Sequence, residues 1–138
     1  MLDNGTGPFG IIMADGAGPF GYDIHFALEV DYLMALYGCD AFIETGTNAG
    51  DTTDFVSKQY PFISVVSCEI DKVLHDYSSK RLSGRENVFL YNASSEVILY
   101  RFQATFNTPF YYLDAHFYDE WPLEKELKNI DRGVVCIG

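Results

Sequence analysis

Three acids and a histidine stand where apolar runs give way to turns. Glu44 closes Ala41-Phe-Ile and precedes Thr45-Gly-Thr-Asn-Ala-Gly50, while Glu69 closes Phe62-Ile-Ser-Val-Val-Ser-Cys68, nineteen residues beyond Gly50. Asp114 and His116 follow Pro109-Phe-Tyr-Tyr-Leu113. A glycine turn that carries a strand into a helix presents backbone N–H groups and a helix N-terminus at the carboxyl end of the strand, where open α/β sheets bind ligands. A carboxylate at the end of the next strand can accept both hydroxyl protons of a ribose, although an ordinary strand-end acid would look the same. An Asp-x-His pair can hold or take a proton near neutral pH, or cap a loop and sit as a polar rim residue.

These residues need a scaffold that brings strand ends together, and the chain supplies one. Apolar spacing predicts helices over 23–37, from Asp51 to about Tyr60, over 71–82, over 95–104 and over 121–130. Asp23 suits an N-cap and Gly38 a helix end. Between the helices, strands are expected over 41–44, 62–69, 87–91, 109–113 and 133–138. Strands alternating with helices at this spacing imply crossover connections, and hence a doubly wound, mainly parallel sheet of about five strands with helices on both faces.

Residues 1–21 hold six glycines and two prolines, and Gly7-Pro-Phe-Gly10 is echoed by Gly18-Pro-Phe-Gly21. This Gly/Pro-rich lead reads as a flexible lead-in or as a lid whose Phe9 and Phe20 fold over a ligand. The domain proper then runs over 22–138.

Composition removes some function classes. The net charge is −11, and residues 1–57 carry nine acids with no Lys or Arg. A phosphate backbone or an anionic membrane surface needs clustered cations, so neither is an expected partner. No apolar run reaches the length of a membrane span, and no basic segment opens a signal peptide. The odd number of cysteines, Cys39, Cys68 and Cys136, reads as reduced core thiols in a cytoplasmic protein.

Glu44-Thr-Gly-Thr-Asn-Ala-Gly50 resembles the E/D-x-G-x-x-x-G first motif of the class I S-adenosylmethionine-dependent methyltransferases, and Cys68-Glu69-Ile70-Asp71 resembles their acidic second motif. The likeness runs from about residue 22 to the C-terminus. It implies that Glu44, Thr45, Gly46, Thr47, Asn48 and Gly50 hold the amino-acid end of S-adenosylmethionine or S-adenosylhomocysteine, and that Glu69 holds the ribose. Asn92-Ala93-Ser94-Ser95 matches the loop that meets adenine, although Ser94 or Ser95 also suits a helix N-cap.

The resemblance places catalysis at Asp114 and His116. Asp114 is similar to the first metal ligand of the cation-dependent O-methyltransferases, which implies a divalent cation such as Mg²⁺; those enzymes take further ligands from beyond the fifth strand, which leaves His116 and Asp119 as the partners of Asp114 here. Asp114-x-His116 also resembles enzymes that methylate small-molecule and sugar hydroxyls. Phe117, Tyr118 and Trp121 are candidates to line the acceptor pocket or flank the sulfonium. The expected reaction is in-line methyl transfer to a hydroxyl oxygen.

Family members continue beyond the fifth strand. An exposed edge at Val134-Val-Cys-Ile137 is therefore expected, covered by a longer gene product or by a second copy of the chain. Two other readings stand beside this one. A nicotinamide-dependent reductase fits Thr45-Gly-x-x-x-Gly50 but expects glycine where Thr52 stands. A cofactor-binding module without turnover fits the same motifs.

Overall fold

The computed structural model describes residues 18–115 and 122–138. Phe9, His116, Phe117, Tyr118, Asp119 and Trp121 lie outside the described residues. Strands β1 (Ala41–Thr45), β2 (Ser64–Cys68), β3 (Val88–Tyr91), β4 (Pro109–Leu113) and β5 (Val134–Ile137) form one parallel sheet in the order β3-β2-β1-β4-β5. Helices α1 (Ile24–Tyr37), α2 (Asp51–Gln59), α3 (Lys72–Arg81), α4 (Ser95–Phe102) and α5 (Leu123–Leu127) alternate with the strands.

The side-chain alternation of a strand decides which helices cover which face. Phe42, Val65 and Phe110 pack with Val30 and Met34 of α1 and Phe55 and Val56 of α2. Ile43, Val66 and Tyr111, one position along, pack with Ile98 and Leu99 of α4, and Leu123 of α5 closes on the same cluster. Both sheet faces are thus buried, which is why the strands read as nearly unbroken apolar runs.

Local chemistry sets the ends of the elements. Asp23 accepts the N–H of Phe26 at 2.9 Å at the start of α1. Gly38, with φ of 60°, ends that helix in the left-handed conformation. Asp71 accepts from Val73 and Leu74 at the start of α3. Asp40 takes the N–H groups of Asn107 and Thr108, both at 2.9 Å, and so aligns the entries of β1 and β4.

The helix expected over 121–130 covers only Leu123–Leu127 among the described residues, and the structure departs from two further expectations. The strand expected from Phe62 begins at Ser64: residues 61–63 form a turn, and Phe62 is 99% exposed. The Asn87 amide donates to the carbonyls of Ser57, Tyr60 and Ile63, which holds that turn away from the ladder.

Phe20, read as part of a flexible lead-in or of a lid, belongs to the core. It lies in a short 3-10 helix, Pro19–Tyr22, with its ring 5.2 Å from Phe26 and from Tyr112 and 5.9 Å from Phe55. Its backbone is left-handed, at φ of 55°. Burying a phenylalanine is worth about 1.5–3 kcal/mol, enough to offset a left-handed residue costing about 1–3 kcal/mol.

Order β3-β2-β1 followed by a return to β4 makes the junction of β1 and β4 the point where the winding reverses. Crevices at the carboxyl ends of strands at such a point are where open α/β sheets bind ligands. At the far side, β5 is an edge strand, with Val135 and Ile137 partly exposed. No described helix is long and apolar enough to cross a membrane.

Candidate functional site

Three loops meet at the reversal point and are bonded to one another. After β1, the N–H groups of Gly46 and Thr47 both donate to the Cys68 carbonyl at 2.9 Å, which lashes the first loop to the end of β2. Gly46 has φ of 86°, and a Cβ there would lie 2.8 Å from the Asp114 carbonyl oxygen, so glycine is required by both conformation and contact. Asn48 is also left-handed, at φ of 54°. Its N–H thereby reaches the Glu69 carboxylate at 2.8 Å.

Glu69 is 9% exposed, and both its oxygens are fixed by the backbone: Oε2 by the N–H of Asn48 and Oε1 by that of Asp71 at 3.1 Å. Each oxygen of an ionised carboxylate accepts more than one hydrogen bond, so the group is oriented while keeping capacity for a diol. Asn92 ties in the third loop, donating its side-chain amide to the carbonyls of Glu69 and Ile70 at 2.9 and 3.2 Å.

On the other side of the crevice, Thr45 Oγ1 accepts from the N–H groups of Asp114 and Ala115. Tyr112 hydrogen-bonds the Asp114 side chain; burial first, then the charge of Asp114, raises the phenol, so Tyr112 stays a neutral donor. Thr45 therefore fixes the backbone at Asp114, and Tyr112 its side chain.

The cleft between these loops has a volume of about 800 Å³, in the range of small-molecule and cofactor sites. Of the residues expected to bind cofactor, Gly46, Asn48, Glu69, Ala93 and Ser94 line it, and Asp114, expected in catalysis, lines it as well. Ser94 occupies the N-cap position of α4 without a side-chain capping bond. Glu44, Thr45, Thr47, Gly50 and Asn92 are not on the wall; they brace it from behind.

Some wall residues had no distinctive signal in the sequence. Ile70 and Leu74 supply apolar surface beside Glu69, and Glu96, Glu124 and Lys125 come from α4 and α5, where they read as polar helix surface. Among the described residues the wall carries four carboxylates, Glu69, Glu96, Asp114 and Glu124, against one cation, Lys125. Such a site favours a ligand with positive charge.

Cys68 also borders the cleft, but burial, the leading cause, pushes its thiol up to about 12, so it is no nucleophile at neutral pH. The three cysteines are free thiols. Among the described residues no group of three or more His, Cys, Asp or Glu side chains is arranged to hold a metal ion. The described surroundings of Asp114 thus do not make a Mg²⁺ site.

No protein-family model matches the sequence, and no curated protein matches it significantly. Solved structures do match the fold. A Staphylococcus aureus protein provisionally assigned as a caffeoyl-CoA O-methyltransferase superposes with a TM-score of 0.63 at 14% identity, over 78% of this chain and 51% of that one. The methyltransferase domain of a bacterial CtHen1 gives 0.61 at 13% identity, over 82% and 63%. A SAM-dependent methyltransferase from Aquifex aeolicus gives 0.58 at 18%, over 78% and 61%. The chain therefore has the Rossmann-like fold of class I S-adenosylmethionine-dependent methyltransferases, and it spans about half to just under two thirds of the length of these structures.

Proposed function

We propose that the protein binds S-adenosylmethionine in this cleft and transfers its methyl group to a hydroxyl of a small molecule or sugar. The observation that carries the cofactor assignment is Glu69, pinned by two backbone N–H groups on the wall of an acid-lined cleft at the reversal point of the sheet. A ribose diol is the natural partner of a carboxylate so presented.

The charge of the wall separates the candidate cofactors. A nicotinamide dinucleotide carries a pyrophosphate that wants cations or free loop N–H groups. Here the described wall has one lysine and four acids, and the N–H groups of Gly46, Thr47 and Asn48 are already engaged by Cys68 and Glu69. A sulfonium-bearing ligand with an ammonium group suits the same wall.

When bound, the cofactor supplies a methyl group on positively charged sulfur, which leaves as a neutral thioether. The protein's own residues then have three tasks. Glu69 accepts the ribose hydroxyls, and the loop at Ala93 and Ser94 meets the base. Asp114, held by Thr45 and Tyr112, lines the same cleft and receives the proton lost by the acceptor hydroxyl, with His116, two residues on in the sequence, as the second candidate base. Alignment supplies most of the acceleration, because the leaving group is already activated.

Calorimetric titration tests this directly. S-adenosylhomocysteine should saturate the wild-type protein and NADH should not. An acceptor screen scored by methyl transfer, repeated with Asp114→Ala, then separates an enzyme from a protein that only binds the cofactor: turnover abolished while binding persists identifies an enzyme.

A further inference from the structure

Glu44 occupies an unusual place for a residue of the first motif. It is only 2% exposed, and it points to the α2 side of the sheet rather than onto the wall of the cleft. Its Oε1 accepts two short hydrogen bonds, from Thr53 Oγ1 and from Ser67 Oγ, both at 2.6 Å. Ser67 is its register partner on β2, and Thr53, fully buried, lies in the first turn of α2. Ser67 Oγ is also 2.6 Å from Thr47 Oγ1. Since the single Ser67 proton goes to Glu44, Thr47 is the donor in that contact.

The result is a directed chain, Thr47 to Ser67 to Glu44, with Thr53 donating from the opposite side. It joins the end of β1, the end of β2, the middle of the glycine turn and the start of α2. We infer that Glu44 is a positioning residue, which sets the 46–50 turn through Ser67, Thr47 and Thr53 without touching the ligand.

This role rests on the cofactor reading for its consequence in binding, but not for its effect on the turn. What the network needs from position 44 is an acceptor oxygen at the place of Oε1, not a negative charge facing the ligand. A glutamine keeps that oxygen and an alanine does not, so the two substitutions separate positioning from charge contact.

The test compares Glu44→Ala, Glu44→Gln, Ser67→Ala and the double variant Glu44→Ala/Ser67→Ala with the wild type, by titration with S-adenosylhomocysteine and by amide hydrogen exchange over residues 46–50 without ligand. The Ala variants are expected to bind about tenfold more weakly, as for the loss of a hydrogen bond that orders the turn. The double variant should fall no further than the weaker single one, because both act through one chain. Glu44→Gln should stay within about threefold of wild type, and exchange over 46–50 should rise in the Ala variants alone.

Equal losses in Glu44→Gln and Glu44→Ala, or unchanged exchange over 46–50 in the Ala variants, would overturn the inference. If Glu44→Ala does not fold, Ser67→Ala carries the same comparison, since it removes the link to Thr47 while leaving Glu44 bonded to Thr53. A wild-type protein that fails to bind S-adenosylhomocysteine would sink the cofactor reading, while the exchange measurement would still decide the role of Glu44.

Discussion

The α-carbon of Gly46 lies so close beneath the carbonyl of Asp114 that a Cβ would stand 2.8 Å from its oxygen. This contact sets how the first loop meets the end of β4, in the cleft that Glu69 and Asp114 both line. Gly46→Ala is expected to lose detectable binding of S-adenosylhomocysteine and to lower stability by roughly 1–3 kcal/mol, from the left-handed backbone and the clash together. Gly84→Ala is the control: its φ of 88° imposes the same strain, but nothing lies within 4 Å of the added methyl group. Thermal melts should show both variants destabilised, with ligand binding lost only in the first.

Glu69 should matter in proportion to the ribose. Glu69→Ala is expected to weaken S-adenosylhomocysteine by at least about 1.4 kcal/mol, a factor of ten, as for lost hydrogen bonds to a charged acceptor. An analogue lacking the two ribose hydroxyls should bind wild type and variant equally. A loss that persists with that analogue would mean that the substitution acts through the freed Asn48 loop instead.

Much of this architecture was legible in the sequence, for identifiable reasons. Buried parallel strands are apolar on both faces, so Phe42-Ile and Val65-Val66 announce themselves, and the turns between strand and helix carry Gly46 and Gly50 or the capping Asp71. What could not be read was which polar residue meets which. Ser67 lies between Val66 and Cys68 and looks like filler in an apolar run; only the pairing of β1 with β2 sets it level with Glu44. Tyr112 is one aromatic among many until the same register puts it across from Glu44 and within reach of Asp114. Phe20 sits between glycine and proline residues that suggest a loose loop, yet its ring is captured by four others that come from α1, β1, α2 and β4. In each case the missing information is the spatial neighbour, which sequence spacing does not encode.

Asp40 offers a substitution that should damage the fold and spare the site. Its carboxylate serves the N–H groups of Asn107 and Thr108 at the amino ends of β1 and β4, the end of the sheet away from the cleft. Asp40→Ala leaves both donors without that partner and is expected to cost about 1–3 kcal/mol. Binding of S-adenosylhomocysteine by the folded variant should change by less than about twofold, because distant sites contribute independently. Chemical denaturation and titration on the same sample check both halves.

The buried carboxyl of Glu44 makes stability depend on pH in a direction opposite to that of most acids. Burial raises it from 4.5 to about 7; the bonds from Ser67 and Thr53 pull it down only in part, and the nearby charges of Asp114 and Glu69 add to the rise. Below 4.5 the folded and unfolded chains both hold the proton, and the group contributes no difference. Between 4.5 and about 7 the folded chain keeps a proton that the unfolded chain releases, so raising the pH favours unfolding. Above about 7 the folded carboxyl is ionised too, and the penalty levels off, at roughly 3 kcal/mol for about 1.4 kcal/mol per pH unit. Glu44→Gln carries no titrating group and should lack this slope. Denaturation midpoints of the two proteins, measured from pH 4.5 to 8, should therefore diverge, with the variant gaining on the wild type as the pH rises and the gap constant above about 7.5. Parallel curves across that range would show that Glu44 is ionised throughout, held as a carboxylate by its two hydroxyl donors against the cost of burial.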